Sequence, residues 1–117
     1  MNIETFRQYC LSLPAVTEDL PFDENTLAFR VGGKIFALTG LDSTPFRVNL
    51  KCDPEWAMQL REQHSAIVPG FHMNKKHWNT VTPDGRLSAA LFQQLIKHSY
   101  ELVAASLPKK TRESLGL

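Results

Sequence analysis

Arg30, Lys34, Arg47, Lys51, Lys75, Lys76 and His77 are the side chains whose types and spacing offer the most chemistry in this sequence. Arg47, Asn49 and Lys51 alternate with Phe46, Val48, Leu50 and Cys52, so on a strand the polar three share one face. Binding a polyanion needs several cations on one side, because each neutralised phosphate releases condensed counterions and adds affinity. The seven residues are therefore the predicted nucleic-acid-binding set, with Asn49 and Asn79 as neutral hydrogen-bonding partners. Equally ordinary is a solvated sheet face whose charges maintain solubility and block edge pairing. A sequence pI of 7.8 is low for a dedicated nucleic-acid binder.

Other chemistry finds less support. Lys75-Lys76-His77-Trp78 places cations beside a ring that could stack on bases, although a lone tryptophan on a short strand is more often a packing residue. His64, His72, His77 and Cys52 lack the tight spacing that pre-orders metal ligands, so no metal or other cofactor is expected. Glu18, Asp19, Asp23 and Glu24 form an acidic cluster in a turn-forming stretch and read as solvated charges. Cys10 falls on an apolar helix stripe where a thiol keeps its proton, and Cys52 closes a strand before a helix cap. With no G-x-S-x-G elbow, phosphate-binding loop or dinucleotide fingerprint, the expectation is a binding protein rather than an enzyme.

The elements that must position these groups follow from pattern. The 117 residues suit one domain, and 43% hydrophobic with 21% charged residues is a globular composition. No apolar run is long enough to span a bilayer and the N-terminus has no signal-peptide pattern, so a cytoplasmic chain with reduced thiols is expected. Charge is uneven: residues 1–25 carry one basic and five acidic side chains, residues 26–51 four basic and one acidic, and residues 70–97 again four and one. One basic face is compatible with a formal net charge of +1.

Asn2 to Leu13 reads as a helix capped by Asn2 and ended by Pro14. Thr17 to Asn25 reads as an acidic loop delivering Phe22 to the core. Thr26–Val31, Gly32-Gly33 and Lys34–Thr39 form a hairpin with a two-residue turn. Its ideal register sets Phe29 opposite Phe36 and Leu27 opposite Leu38, with Leu27, Phe29, Val31, Phe36 and Leu38 inward and Thr26, Ala28, Arg30, Ile35, Ala37 and Thr39 outward. Phe46–Cys52 is a strand, Asp53-Pro54 opens a helix, and Ile67-Val68 and His77–Val81 are shorter strands. Ser88 to Leu107 is a terminal helix stopped by Pro108. The predicted class is α+β: an antiparallel β-sheet with helices packed on one face.

Several of these residues together resemble the MmcQ/YjbR family of small bacterial proteins. The resemblance rests on Leu13-Pro14, Glu18, Pro21-Phe22, the hairpin Phe29 to Ala37, Leu50-Lys51-Cys52, Met73 to Asn79 and Ser99-Tyr100, and covers roughly residues 6–107. It implies a two-layer fold like that of the frataxin homologue CyaY, with two hairpins described as a double wing. It also implies a bacterial cytoplasmic setting and a DNA-binding role. The alternative read from the residues themselves is a binding domain for a protein or small ligand, met on the outer sheet face through Arg30, Ile35 and Arg47. A fold hosts many functions, so the site must decide between them.

Overall fold

Backbone hydrogen bonding in the computed structural model, which describes all 117 residues, produces α1 (Ile3–Ser12), β1 (Val16–Asp19), β2 (Thr26–Val31), β3 (Lys34–Gly40), β4 (Val48–Lys51), α2 (Pro54–Gln63), β5 (Ile67–Pro69), β6 (Trp78–Val81), α3 (Ala89–Ser106) and α4 (Lys109–Ser114). The six strands form one sheet in the order β1-β2-β3-β4-β6-β5, and every neighbouring pair is antiparallel. The α+β architecture is thus as expected from the sequence.

Local chemistry explains the helix starts. The Asn2 side chain accepts from the Thr5 amide while the Thr5 hydroxyl accepts from the Asn2 amide, a reciprocal cap. Asp53 caps α2 with Pro54 in its first turn, and Ser88 caps α3 through the Leu91 amide. Pro108 stops α3 and opens the six-residue α4, which buries no side chain and which the sequence pattern did not reveal.

One face of the sheet meets the helices. A cluster of 20 buried side chains joins Phe6 and Cys10 of α1, Ala57 and Leu60 of α2, and Phe92, Leu95, Ile96, Tyr100 and Val103 of α3 to Phe29, Val31, Phe36, Val48, Leu50 and Val81 of the sheet. At its centre Phe6 packs edge-on against Phe29 with centroids 5.4 Å apart and stacks on Phe92 at 6.0 Å. Both cysteines are buried free thiols. Burial pushes the Cys10 thiol far up and the Cys52 thiol to about 11, so both stay protonated and unreactive near neutrality.

Three expectations require correction. Thr17 to Asn25 is not all loop: β1 adds an edge strand in which Glu18 turns to Arg7 of α1 and Asp19 turns to Arg30 of β2. Carboxylates read as solvated are the pairing groups of that strand. Phe22 does not enter the core; it is 69% exposed beyond the end of β1.

The hairpin register also departs from the ideal. The Gly32-Gly33 turn forms with φ of +58° and +81°, and Val31 pairs with Lys34 and Arg30 with Ile35 as expected. Phe29 then pairs with Ala37 rather than Phe36, a β-bulge that inserts Phe36 as an extra residue. Beyond it the alternation of β3 inverts. Ala37 joins the core, Leu38 moves to the outer face opposite Asn49, and the Thr39 hydroxyl turns to the Arg47 carbonyl at 2.8 Å. The bulged carbonyl of Phe36 accepts from the buried Ser99 hydroxyl at 2.5 Å, which in turn accepts from the Lys51 amide at 2.8 Å. One α3 side chain thereby satisfies backbone groups on two strands.

Candidate functional site

Antiparallel partners share a face, so register alone sorts the cationic set. Arg30, Arg47 and Lys51 all lie on the sheet face turned away from the helices, in agreement with the alternation of β2 and β4. Lys34 does not: it pairs with Val31, a core residue, and so leaves the hairpin tip toward the helix side. Lys75, Lys76 and His77 sit in the loop before β6, where Lys75 turns its ammonium back to the Gly70 carbonyl at 2.8 Å. Lys76 is exposed and His77 half-buried.

Their electrostatic states differ as much as their positions. Arg30 donates to Asp19 at 3.0 Å and to the Gly33 carbonyl at 2.9 Å, so its charge is locally compensated. Lys51 stands opposite Trp78 across the β4–β6 ladder. Arg47 forms neither an ion pair nor a side-chain hydrogen bond, and its guanidinium carbon lies 5.6 Å from the centroid of the Phe71 ring. Asn79 is unavailable as a surface contact, because it is buried on the helix side and accepts from Arg61 of α2 at 2.7 Å. Arg61 also donates to the Trp78 and Lys75 carbonyls, holding the 70–77 loop from behind.

On the outer face the strands floor a concave cavity of about 690 Å³. Thr26, Ile35, Leu38, Asn49, Trp78 and Thr80 contribute the floor; Phe22 and Asp23, Ser43, and Phe71 to Met73 supply the walls, with Arg47 in the lining. The bulge places Leu38 here. In the ideal register it would have pointed into the core.

The 70–73 wall is fastened to the floor. Thr80 Oγ1 accepts from the Phe71 amide at 2.9 Å and donates to Asn49 Oδ1, while Asn49 Nδ2 donates to the Phe71 carbonyl at 3.4 Å. Gly70 permits this approach, since a β-carbon there would come within 2.9 Å of Trp78 Cβ and 3.0 Å of its carbonyl oxygen. His72 adopts a left-handed φ of +58°, uncommon outside glycine, at the same bend. The side chains of Asn49 and Thr80 are spent on this anchorage, which leaves a lining of aromatic and aliphatic surface with the Thr26 hydroxyl and one unpaired guanidinium.

The sequence set contained Arg47 but missed Phe22, Leu38, Phe71 and Thr80. The available signal was aromatic residues in turn sequences, Pro21-Phe22-Asp23 and Gly70-Phe71-His72, where a large ring has no core-forming periodicity to explain it.

Residues 11–102 match the family model of YjbR. The chain belongs to the YjbR family. It is 40% identical over 111 residues to YbdF of Escherichia coli O157:H7, covering 94% of this chain and 90% of that protein. It is 34% identical over 115 residues to YjbR of Escherichia coli K12, covering 98% of each. Among solved structures, Deinococcus radiodurans protein DR2400 superposes with a TM-score of 0.94 at 43% identity, over 99% of this chain and 88% of that one. A Pseudomonas syringae protein superposes with a TM-score of 0.75 at 30% identity, over 88% and 99%. The family and its fold are therefore shared along nearly the whole chain.

Proposed function

We propose that this YjbR-family protein is a non-catalytic binding domain that takes a small, largely apolar ligand in the cavity on the outer face of its sheet. The observation that carries this reading is the cavity itself: about 690 Å³ walled by Phe22 and Phe71 over a floor that includes Ile35, Leu38 and Trp78. Its volume lies within the range of small-molecule sites, and its few convergent polar groups fit an orienting role. An interior this apolar has a reason to stay open to water only if something else occupies it.

Contact with DNA through the basic face is the competing reading. Arg30, Arg47 and Lys51 share a face, which favours it, but Arg30 is matched by Asp19, Lys75 is turned inward and Lys34 leaves on the other side. Few uncompensated cations remain on that face to release counterions, so the cavity is the better-supported site.

Trp78 gives the test a reporter. In a Trp56→Phe background it is the one tryptophan of the chain, and small aromatic fragments transparent in the indole excitation band should change its emission saturably. Emission that ignores every fragment yet responds to duplex DNA would transfer the function to the basic face.

A further inference from the structure

The geometry points to a small aromatic monocarboxylate as the ligand of this cavity, with Arg47 as the residue that reads its charge. The inference rests on the ligand-binding reading above and deepens it. Arg30, Arg61 and Lys75 are each committed to a carboxylate, an amide oxygen or a backbone carbonyl within the chain. Arg47 alone among the cations lining or backing the cavity has its whole donor set free.

Its placement over Phe71, 5.6 Å from the ring centroid, is that of a cation held against an aromatic face. No group of the chain accepts from the guanidinium beside this ring, so its paired N–H groups remain for a carboxylate. The Asn49–Thr80–Phe71 hydrogen bonds occupy two of the floor's polar side chains and leave only the Thr26 hydroxyl and the Trp78 indole N–H there, so a hydroxyl-rich ligand would find few partners on the floor. A flat ring suits walls made of aromatic side chains, which favour offset or edge-on packing. Asp23 at the rim supplies one negative charge of its own and disfavours a dianion such as a phosphate monoester.

Calorimetric titration with naphthylacetate, its neutral isostere naphthylacetamide and naphthyl phosphate tests each element. The wild-type protein should bind the carboxylate at least about tenfold more tightly than the amide, the size expected of a charge-assisted hydrogen bond, and more tightly than the phosphate. Arg47→Met should reduce the carboxylate-to-amide ratio to about one while leaving amide affinity within about threefold, and Arg47→Lys should keep an intermediate ratio. Equal affinity for carboxylate and amide in the wild type, preference for the phosphate, or a ratio that survives in Arg47→Met would overturn the inference while leaving the cavity as a ligand site. If none of the three probes binds, the cavity reading itself falls and this inference with it.

Discussion

Ser99 illustrates how much of this molecule depends on single polar atoms. Its hydroxyl, fully buried, donates to the Phe36 carbonyl at the bulge and accepts the Lys51 amide. Ser99→Ala would leave both backbone groups without that partner, and a buried unsatisfied group costs about 1 to 3 kcal/mol. Urea unfolding should register a loss of at least that size, whereas a midpoint shift equivalent to less than about 0.5 kcal/mol would mean that the bulge does not need this bond. Tyr100 has a simpler role: its hydroxyl donates to the Pro14 carbonyl at 2.7 Å and ties the end of α1 to α3. Tyr100→Phe should cost less, about 0.5 to 1.5 kcal/mol, because only one neutral hydrogen bond is lost. Ser99-Tyr100 and Leu13-Pro14 were visible in the sequence as family features. Their partners 63 and 86 residues away were not, since neither hydrogen bond leaves a local pattern.

Among the elements, α2 is held to α3 by a titratable contact. His98 Nε2 accepts the amide of Asp53, the cap of α2, at 3.1 Å, and its ring packs edge-on against Trp56 with centroids 4.6 Å apart. Burial lowers the His98 pKa, partly opposed by the carboxylates of Asp53 and Glu101; Lys97 lies alongside in the same shallow cleft. A histidine whose folded pKa is lowered is protonated first in the unfolded chain. Its contribution is complete above the ordinary histidine value of 6.5 and is lost progressively as pH falls below it. The wild-type urea midpoint should therefore decline between about pH 7.5 and 5.5, and His98→Gln, which keeps an acceptor but cannot titrate, should flatten that decline. Equal slopes for the two proteins would show that the contact is electrostatically silent. Glu18, whose pKa is lowered chiefly by its hydrogen bonds to Arg7, acts in a separate window: its contribution is present above the ordinary value of 4.5 and wanes only below it.

The elements were also the most legible level of the sequence. Asn2, Asp53-Pro54, Ser88 and Gly32-Gly33 marked three helix starts and a hairpin because caps and turns are decided by neighbours. The bulge was hidden because Phe29, Phe36 and Leu38 satisfy ideal alternation on paper, and only the packing of Phe36 and Ala37 against the core, with Ser99 bonding the bulged carbonyl, selects the shifted register. β1 was hidden because its charged residues match a loop until Arg7 and Arg30 arrive from other elements.

For the molecule as a whole, the sheet divides two tasks. Its inner face packs a continuous core beneath three helices, and its outer face, free of helices, closes partly around a cavity through the loops after β1, β3 and β5. Arg47 was legible as a member of that outer face from the alternation of β4 alone. The cavity was not, because its lining comes from four strands and three loops that meet only after the sheet has formed. The summed charge of the chain is close to neutral, and the outer-face cations are partly compensated within it, so the apolar cavity rather than a broad field distinguishes this face.

Amide chemical-shift mapping on the isotopically labelled chain, titrated in parallel with naphthylacetate and with duplex DNA at about 50 mM salt, separates the two uses of this face most directly. Saturable shifts at Ile35, Leu38, Phe71 and Thr80 with the small carboxylate, and no saturable response to the duplex, are expected. Shifts confined to Arg30, Lys51 and Lys76 on adding DNA, fading as salt rises, with the cavity amides unmoved by the carboxylate, would contradict a ligand site here.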